Sequence, residues 1–255
     1  MKSLLIAFSM YSRLPMPRVE WEPKALSWAL CWFPLVGVAA GLALGGWMWL
    51  ARVLGVGRLF FAAFAVLIPI GLSGGIHLDG FCDTCDALAS HQSRARKLEI
   101  LKDPHAGAFG VFGCGLYLLV FFAGWSEVEV TPRAVWALAL GPVLSRSLSG
   151  LFALTLPNAR GTGLLAAFTE AVDVARARAV LIFWVTACAA ALVLLGGVPG
   201  GAALLGALLA CFYYVRTARR QFGGVTGDLA GFFLQLCELG MVLAVVAGQK
   251  IEVLL

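Results

Sequence analysis

An all-α, polytopic membrane bundle is the fold class this sequence predicts, on three observations. Hydrophobic residues make up 61% of the 255 positions and charged residues 13%, about half the charge of an ordinary soluble domain. Apolar windows follow one another from Ala25 to the C-terminus, several of them reaching the roughly 20 residues an α-helix needs to cross a bilayer. Lys and Arg gather on alternate connections, which is the mark of a fixed orientation.

In chain order the windows predict helices over about 25–51, 59–76, 106–125, 134–156, 179–198, 201–215 and 229–248, seven crossings in all. The sixth is short, so it begins early, sits thinly or is partly re-entrant. The opening "MKSLLIAFSMYSRLP" is not read as a cleaved leader, because Arg13 interrupts its apolar run and no small-residue cleavage site follows. Of the seven cysteines, Cys31, Cys114, Cys188, Cys211 and Cys237 fall inside apolar windows, where a thiol behaves as a small hydrophobe, so no disulfide framework is expected.

Basic residues then give the sidedness. Lys2, Arg13, Arg18 and Lys24 precede the first span; Arg94, Arg96, Lys97 and Lys102 follow the second; Arg160, Arg176 and Arg178 follow the fourth; Arg216, Arg219 and Arg220 follow the sixth. The opposite connections carry only Arg52, Arg58, Arg133 and Lys250, with Arg146 inside a span. The positive-inside bias makes the N-terminus and the three long loops cytoplasmic, in a cell inner membrane. The formal net charge of +5 thus reflects orientation, and no nucleic-acid partner is expected. One membrane domain covers residues 1–255, with its chemistry in cytoplasmic loops at about 77–105, 157–178 and 216–228, where "LPNARGTG" (Leu156 to Gly163) and "GGVTGDLAG" (Gly223 to Gly231) also lie.

The most informative stretch is "SGGIHLDGFCDTCDAL", Ser73 to Leu88. If a helix continues past Gly74-Gly75, then at 100° per residue Asp83 lies about 40° and Asp86 about −20° from Asp79, so three carboxylates share one face. Like charges at that spacing repel, and a cation should hold them. A solvated acidic face balanced by Arg94, Arg96 and Lys97 is the bland reading. A hard divalent cation fits better: Mg²⁺ is usually held by one or two carboxylates, waters and the phosphates of a ligand. Asp103, in "KDPHAGAFG", is expected to meet Asp86 across two antiparallel helices, or else simply to start a helix before Pro104. Cys82 and Cys85 form a C-x-x-C, but zinc would need His77 and His91 to join them and no second pair exists. His77 falls off the carboxylate face and either orients a substrate from the bend or packs there. Arg146 and Glu238 each fall about 14 Å from the cytoplasmic ends of their helices. Each alone would cost about 3 kcal/mol at mid-bilayer, so a structural ion pair inside the bundle is expected.

These residues resemble the cobalamin synthase family, the adenosylcobinamide-GDP ribazoletransferases. "SRLPMP" (Ser12 to Pro17) resembles its N-terminal motif, "FPLVGVAAG" (Phe33 to Gly41) its first span, and "GGIHLDGFCDTCDAL" (Gly74 to Leu88) its signature G-G-x-H-x-D-G-x-x-D-x-x-D. "LEILKDPHAGAFGV" (Leu98 to Val111) and "GGVTGDLAG" with Glu238 are similar to its later blocks. The chain departs from the pattern at Cys82 and Cys85, where Ala is usual, at Ala87, often Gly, and in "DPHAGAFG", against D-S-R-I-G-T-F-G.

The resemblance implies a Mg²⁺-dependent transfer in which adenosylcobinamide-GDP and α-ribazole, or its 5′-phosphate, give adenosylcobalamin, or its phosphate, and GMP. It implies Asp79, Asp83 and Asp86 as metal ligands on the diphosphate, and a carboxylate of the cluster or Asp103 as general base. His77 would assist; Asp228 would complete the metal shell or bind a nucleoside hydroxyl, and Arg94 and Arg96 would contact phosphate. A homo-oligomer or association with other corrinoid enzymes is a possible assembly. Three other classes compete. CDP-alcohol phosphotransferases expect D-G-x-x-A-R, and "DGFCDTCD" lacks that Ala-Arg pair. Prenyltransferases expect two Asp-rich motifs, and Gly227-Asp228 is too sparse to be the second. A divalent-cation transporter expects acids at mid-membrane in several spans, where only Glu238 occurs.

Overall fold

The computed structural model describes residues 2–22, 25–26, 28–161 and 173–254. Thr162 and Gly163 of "LPNARGTG", and half of the expected 157–178 loop (162–172), fall outside these residues. The elements are α-helical throughout: α1 (Lys2–Tyr11), α2 (Ala29–Val53), α3 (Arg58–Ser73), α4 (Ile76–Ala89), α5 (Arg94–Ile100), α6 (Ala108–Glu127), α7 (Pro132–Ala139), α8 (Gly141–Thr155), α9 (Val174–Thr217) and α10 (Gly227–Leu254), with a π-helical turn at Ala218–Phe222 before α10. The only β-pairing among the described residues is an isolated bridge between Asn158 and Val225.

Five segments are long and apolar enough to cross a membrane on their own: Ala29–Val53, Ala108–Glu127, Pro132–Thr155, Val174–Phe222 and Gly227–Leu254. A sixth crossing involves α3 and α4, which are bent by 95° at Gly74-Gly75. The fifth and sixth expected spans run together as α9, but Gly197 breaks it with φ 57°, ψ −137°. A Cβ on Gly200 would collide with the carbonyl of Leu192, so the chain folds back there, and the two arms, 174–196 and 198–217, make the predicted pair. Large apolar side chains stay exposed around the outside, among them Leu42, Trp49, Phe60, Phe112, Leu119, Phe183, Leu194 and Phe212. Such a belt suits lipid rather than water.

Inside, the apolar side chains pack as one core. The buried ion pair is also present: Arg146 Nη1 lies 2.7 Å from Glu238 Oε1, with side chains only 3% and 10% exposed. Ser145 donates to the same carboxylate oxygen at 2.8 Å, and Arg146 also donates to the Pro142 carbonyl at 3.1 Å. All seven cysteines are free.

The two ends of the bundle differ in charge chemistry. At one end, three basic residues of the short connections are paired: Arg58 with Glu129 at 3.0 Å, Lys250 with Glu127 at 3.7 Å, and Arg133 with Glu252. The other end collects the N-terminal segment, α4, α5 and the loops 156–161 and 223–227. Both glycines of the α3–α4 bend are left-handed, Gly74 at φ 66° and Gly75 at φ 82°, a conformation that costs residues with a Cβ. The bend is braced from outside, since the Arg13 amide donates to the Leu72 carbonyl at 2.7 Å. The chain is helical again directly past the glycines, as the spacing of the acids supposed, so Asp79, Asp83 and Asp86 share one helix. α3 and α4 pass as an apolar crossing only together, and α4, which carries the acids, leaves the direction of α3 by 95°.

Candidate functional site

Two loops and one helix crossing build the site. The amides of Ala159 and Val225 donate to the carbonyls of Val225 and Pro157 at 3.0 and 2.8 Å, strapping "LPNAR" to "GGVTG". Asn158 Oδ1 accepts from the amides of Arg160 and Gly161 at 3.0 and 3.2 Å. That Asx-type turn sets the direction of the Arg160 side chain. Its guanidinium donates to the Leu101 carbonyl at 3.0 Å and to Asp228 Oδ2 at 2.8 Å. Asp228 stands in the first turn of α10, where the helix dipole favours a negative charge, and Thr226 Oγ1 accepts from the Leu229 amide at 3.2 Å in capping fashion.

Backbone contact brings α4 onto this loop pair. A Cβ on Gly80 would lie 2.6 Å from the Asp228 carbonyl oxygen and 2.8 Å from its Cα, and one on Gly231 would lie 2.7 Å from the His77 carbonyl oxygen. Only glycines allow that approach, and it sets the α4 acids beside Asp228. Gly80→Ala is therefore expected to destabilise the protein by about 1–3 kcal/mol through overpacking and to reduce turnover together with stability; thermal unfolding and a rate assay on the same preparation check it.

The resulting cavity of about 300 Å³ is lined by Asp79, Asp228, Arg160, Asn158 and Thr226 together with His77 and apolar side chains. Asp79 is exposed and Asp83 half-buried. Asp83 lies within electrostatic reach of the charges of Asp79, Asp228 and Asp86, with Arg160 opposing them. This is a crowded set of acids answered by one guanidinium, and a further cation would relieve it.

Each expected residue can now be located. Asp79 and Asp228 face the cavity, with Asp83 within their electrostatic reach. Asp86 does something else: its Oδ2 and Oδ1 accept from the amides of Gly107 and Gly110 at 2.7 and 2.8 Å. It caps the N-terminus of α6 and ties α4 to it. Asp103 does not meet Asp86; it is 58% exposed and pairs with His105 Nδ1 at 2.9 Å. Hydrogen bonds from the His105 backbone and ring hold its carboxyl below the ordinary carboxylate range. Arg96 pairs with Glu99 at 2.7 Å, and Arg94 reaches the Arg219 carbonyl at 3.4 Å; neither lines the cavity. Arg160 and Asn158 take the polar role there, in a motif whose site role the sequence reading left unassigned. Among the described residues no group of three or more His, Cys, Asp or Glu closes around a metal position. The donors available are hard carboxylate oxygens, few in number and open on one side, which fits Mg²⁺ completed by waters and ligand phosphates better than a closed protein cage.

The family model described as cobalamin-5-phosphate synthase matches residues 3–246. The chain belongs to that family. A cobalamin synthase relative in Lachnoclostridium phytofermentans, named adenosylcobinamide-GDP ribazoletransferase, is 39% identical over 98% of this chain and 95% of its own. A Pseudomonas fluorescens protein of the same name is 38% identical over 91% and 92%, and one from Clostridium botulinum 29% over 93% and 94%. No solved structure matches. Membership of the cobalamin synthase family makes the chain a transferase of cobalamin biosynthesis, and the acidic cavity is where its family signature and its "VTGD" loop meet.

Proposed function

We propose that this cavity joins α-ribazole, or its 5′-phosphate, to adenosylcobinamide-GDP, with GMP as the leaving group. The single observation that carries the reading is the convergence of Asp79, Asp228 and Arg160 on one open cavity, with Asp83 within electrostatic reach of all three. The ribose 3′-hydroxyl attacks the cobinamide-linked phosphorus; the new phosphorus–oxygen bond forms as the bond to the GMP phosphate breaks, and the hydroxyl proton passes to a carboxylate of the cluster. Asp103 is a poor base for that proton, being exposed, engaged with His105 and outside the cavity.

Phosphoryl transfer asks chiefly for charge neutralisation and in-line positioning. Asp79, Asp83 and Asp228 would hold Mg²⁺ here, and the ion would neutralise diphosphate oxygens as charge builds on the leaving group. Arg160, anchored by Leu101 and Asp228, offers a planar donor to a phosphate oxygen. Asp86 acts by fixing α4 to α6. The positive-inside bias supports a cytoplasmic cavity, where both nucleotide-bearing substrates would be found.

Incubation of the detergent-purified protein with adenosylcobinamide-GDP, α-ribazole and Mg²⁺ should release GMP and form the cobalamin product in equal amounts. Well-folded protein that releases no GMP would overturn the assignment. Arg160→Gln is expected to lower kcat/KM by about 10- to 100-fold, read from initial rates, with the KM for adenosylcobinamide-GDP rising more than that for α-ribazole.

A further inference from the structure

The cavity's lining divides by exposure. Asp79 is exposed, whereas Phe33, Leu30, Leu234 and His77, with the hydroxyl-bearing Ser149 and Thr226, are each at most 5% exposed and form, with Tyr11, a mainly apolar deep wall. Three rings cluster there: Phe33 lies 4.2 Å from Tyr11 and 6.0 Å from His77 between centroids, and Tyr11 lies 6.4 Å from His77. His77 Nε2 is buried with no hydrogen-bond partner among the described residues, a state that costs free energy unless a ligand completes it.

Resting on the reading above, we propose that the deep wall is the seat of the α-ribazole base, with His77 Nε2–H donating to the free ring nitrogen of its dimethylbenzimidazole. Size argues for this first. About 300 Å³ lies at the small end of cavities that enclose drug-sized ligands; it suits a nucleoside and is far too small for a corrin, which must stay at the opening. Chemistry argues next. A guanine base carries several donors and acceptors that this wall would leave unpaired, whereas dimethylbenzimidazole is a flat apolar bicycle with one acceptor. A mainly aromatic and aliphatic wall, with His77 and a few hydroxyls such as that of Ser149 as its polar groups, is its complement. Geometry argues last: with the base against Tyr11, Phe33 and His77, the ribose points to the opening, where Asp79, Asp228, Asn158 and Arg160 gather. His77 thereby acts as a binding and positioning residue, and the "SRLPMP" segment has a task, since Arg13 braces the bend from which His77 projects.

The test compares α-ribazole with the α-riboside of 5,6-dimethylindole, which replaces the acceptor nitrogen by C–H, in wild type, His77→Phe and Ala153→Leu; Ala153 also lines the cavity. GMP release with saturating adenosylcobinamide-GDP gives kcat and the nucleoside KM. Wild type should favour α-ribazole over the indole riboside by about 5- to 100-fold, His77→Phe should lose that preference, and Ala153→Leu should raise the nucleoside KM while the KM for adenosylcobinamide-GDP stays within twofold. Equal use of the two ribosides by wild type would overturn the proposal without any variant having to fold. So would a His77→Phe enzyme that keeps the preference, or an Ala153→Leu change confined to the corrinoid KM. Absence of GMP release by wild type with either nucleoside would instead strike the underlying transferase reading.

Discussion

Asp83→Asn should lower GMP release by about 100-fold or more and leave the protein as stable as wild type, or slightly more so. The two effects have opposite signs for one reason. Asp83 is half-buried beside the charges of Asp79, Asp228 and Asp86, so removing its charge relieves repulsion in the resting protein. In the proposed reaction the same removal would take away a ligand and negative potential for the cation at the diphosphate. A neutral amide of nearly equal shape separates electrostatics from packing, and thermal unfolding beside a GMP assay reads both. An inactive, strongly destabilised variant would indicate that Asp83 is a structural acid; a fully active one would remove it from the reaction.

Glu238→Ala should cost about 3–5 kcal/mol of stability, because it leaves the Arg146 guanidinium charged and unpaired inside the bundle. The pair, 2.7 Å apart, is nearly closed to solvent, and Arg146 also sits 5.9 Å from the Phe33 ring, so a loosened Arg146 would disturb the deep wall. Replacing both partners, Arg146→Met with Glu238→Leu, should recover most of the loss, since two apolar side chains of similar volume carry no desolvation penalty. Unfolding midpoints in detergent for the single and double variants supply the cycle. A double variant less stable than Glu238→Ala would contradict a purely structural role.

How much could be read from the chain follows from which forces act locally. The spans, the short sixth arm and its break near Gly197 were legible because apolar length and glycine placement are local properties. The meeting of Arg146 with Glu238 was legible from depth alone, since helices of known rise put both at one level. Asp79 and Asp228 were singled out by residue type and resemblance, and both line the cavity. The share of Asp86 was not: its partners are the amides of Gly107 and Gly110, more than 20 positions away, and no periodicity reports a cap supplied from another helix. Asp103 misled because loop geometry let it pair with His105, two residues on. Arg160 went unassigned because its task depends on the strap between Asn158 and Val225, a contact between segments far apart in sequence. The three acids do share one helix, α4, past the Gly74-Gly75 bend, as their spacing implied; what the spacing could not report is that α6 packs against the C-terminal end of that helix, so Asp86 is taken up by its amides while Asp79 lines the cavity.

The most direct test of the central claim is the initial rate of GMP release by the purified protein as free Mg²⁺ is varied, in the presence of both substrates. A carboxylate cluster that works by gripping a divalent ion predicts a saturable rise, loss of release in EDTA and full recovery when Mg²⁺ is restored. An undiminished rate in excess chelator would contradict it.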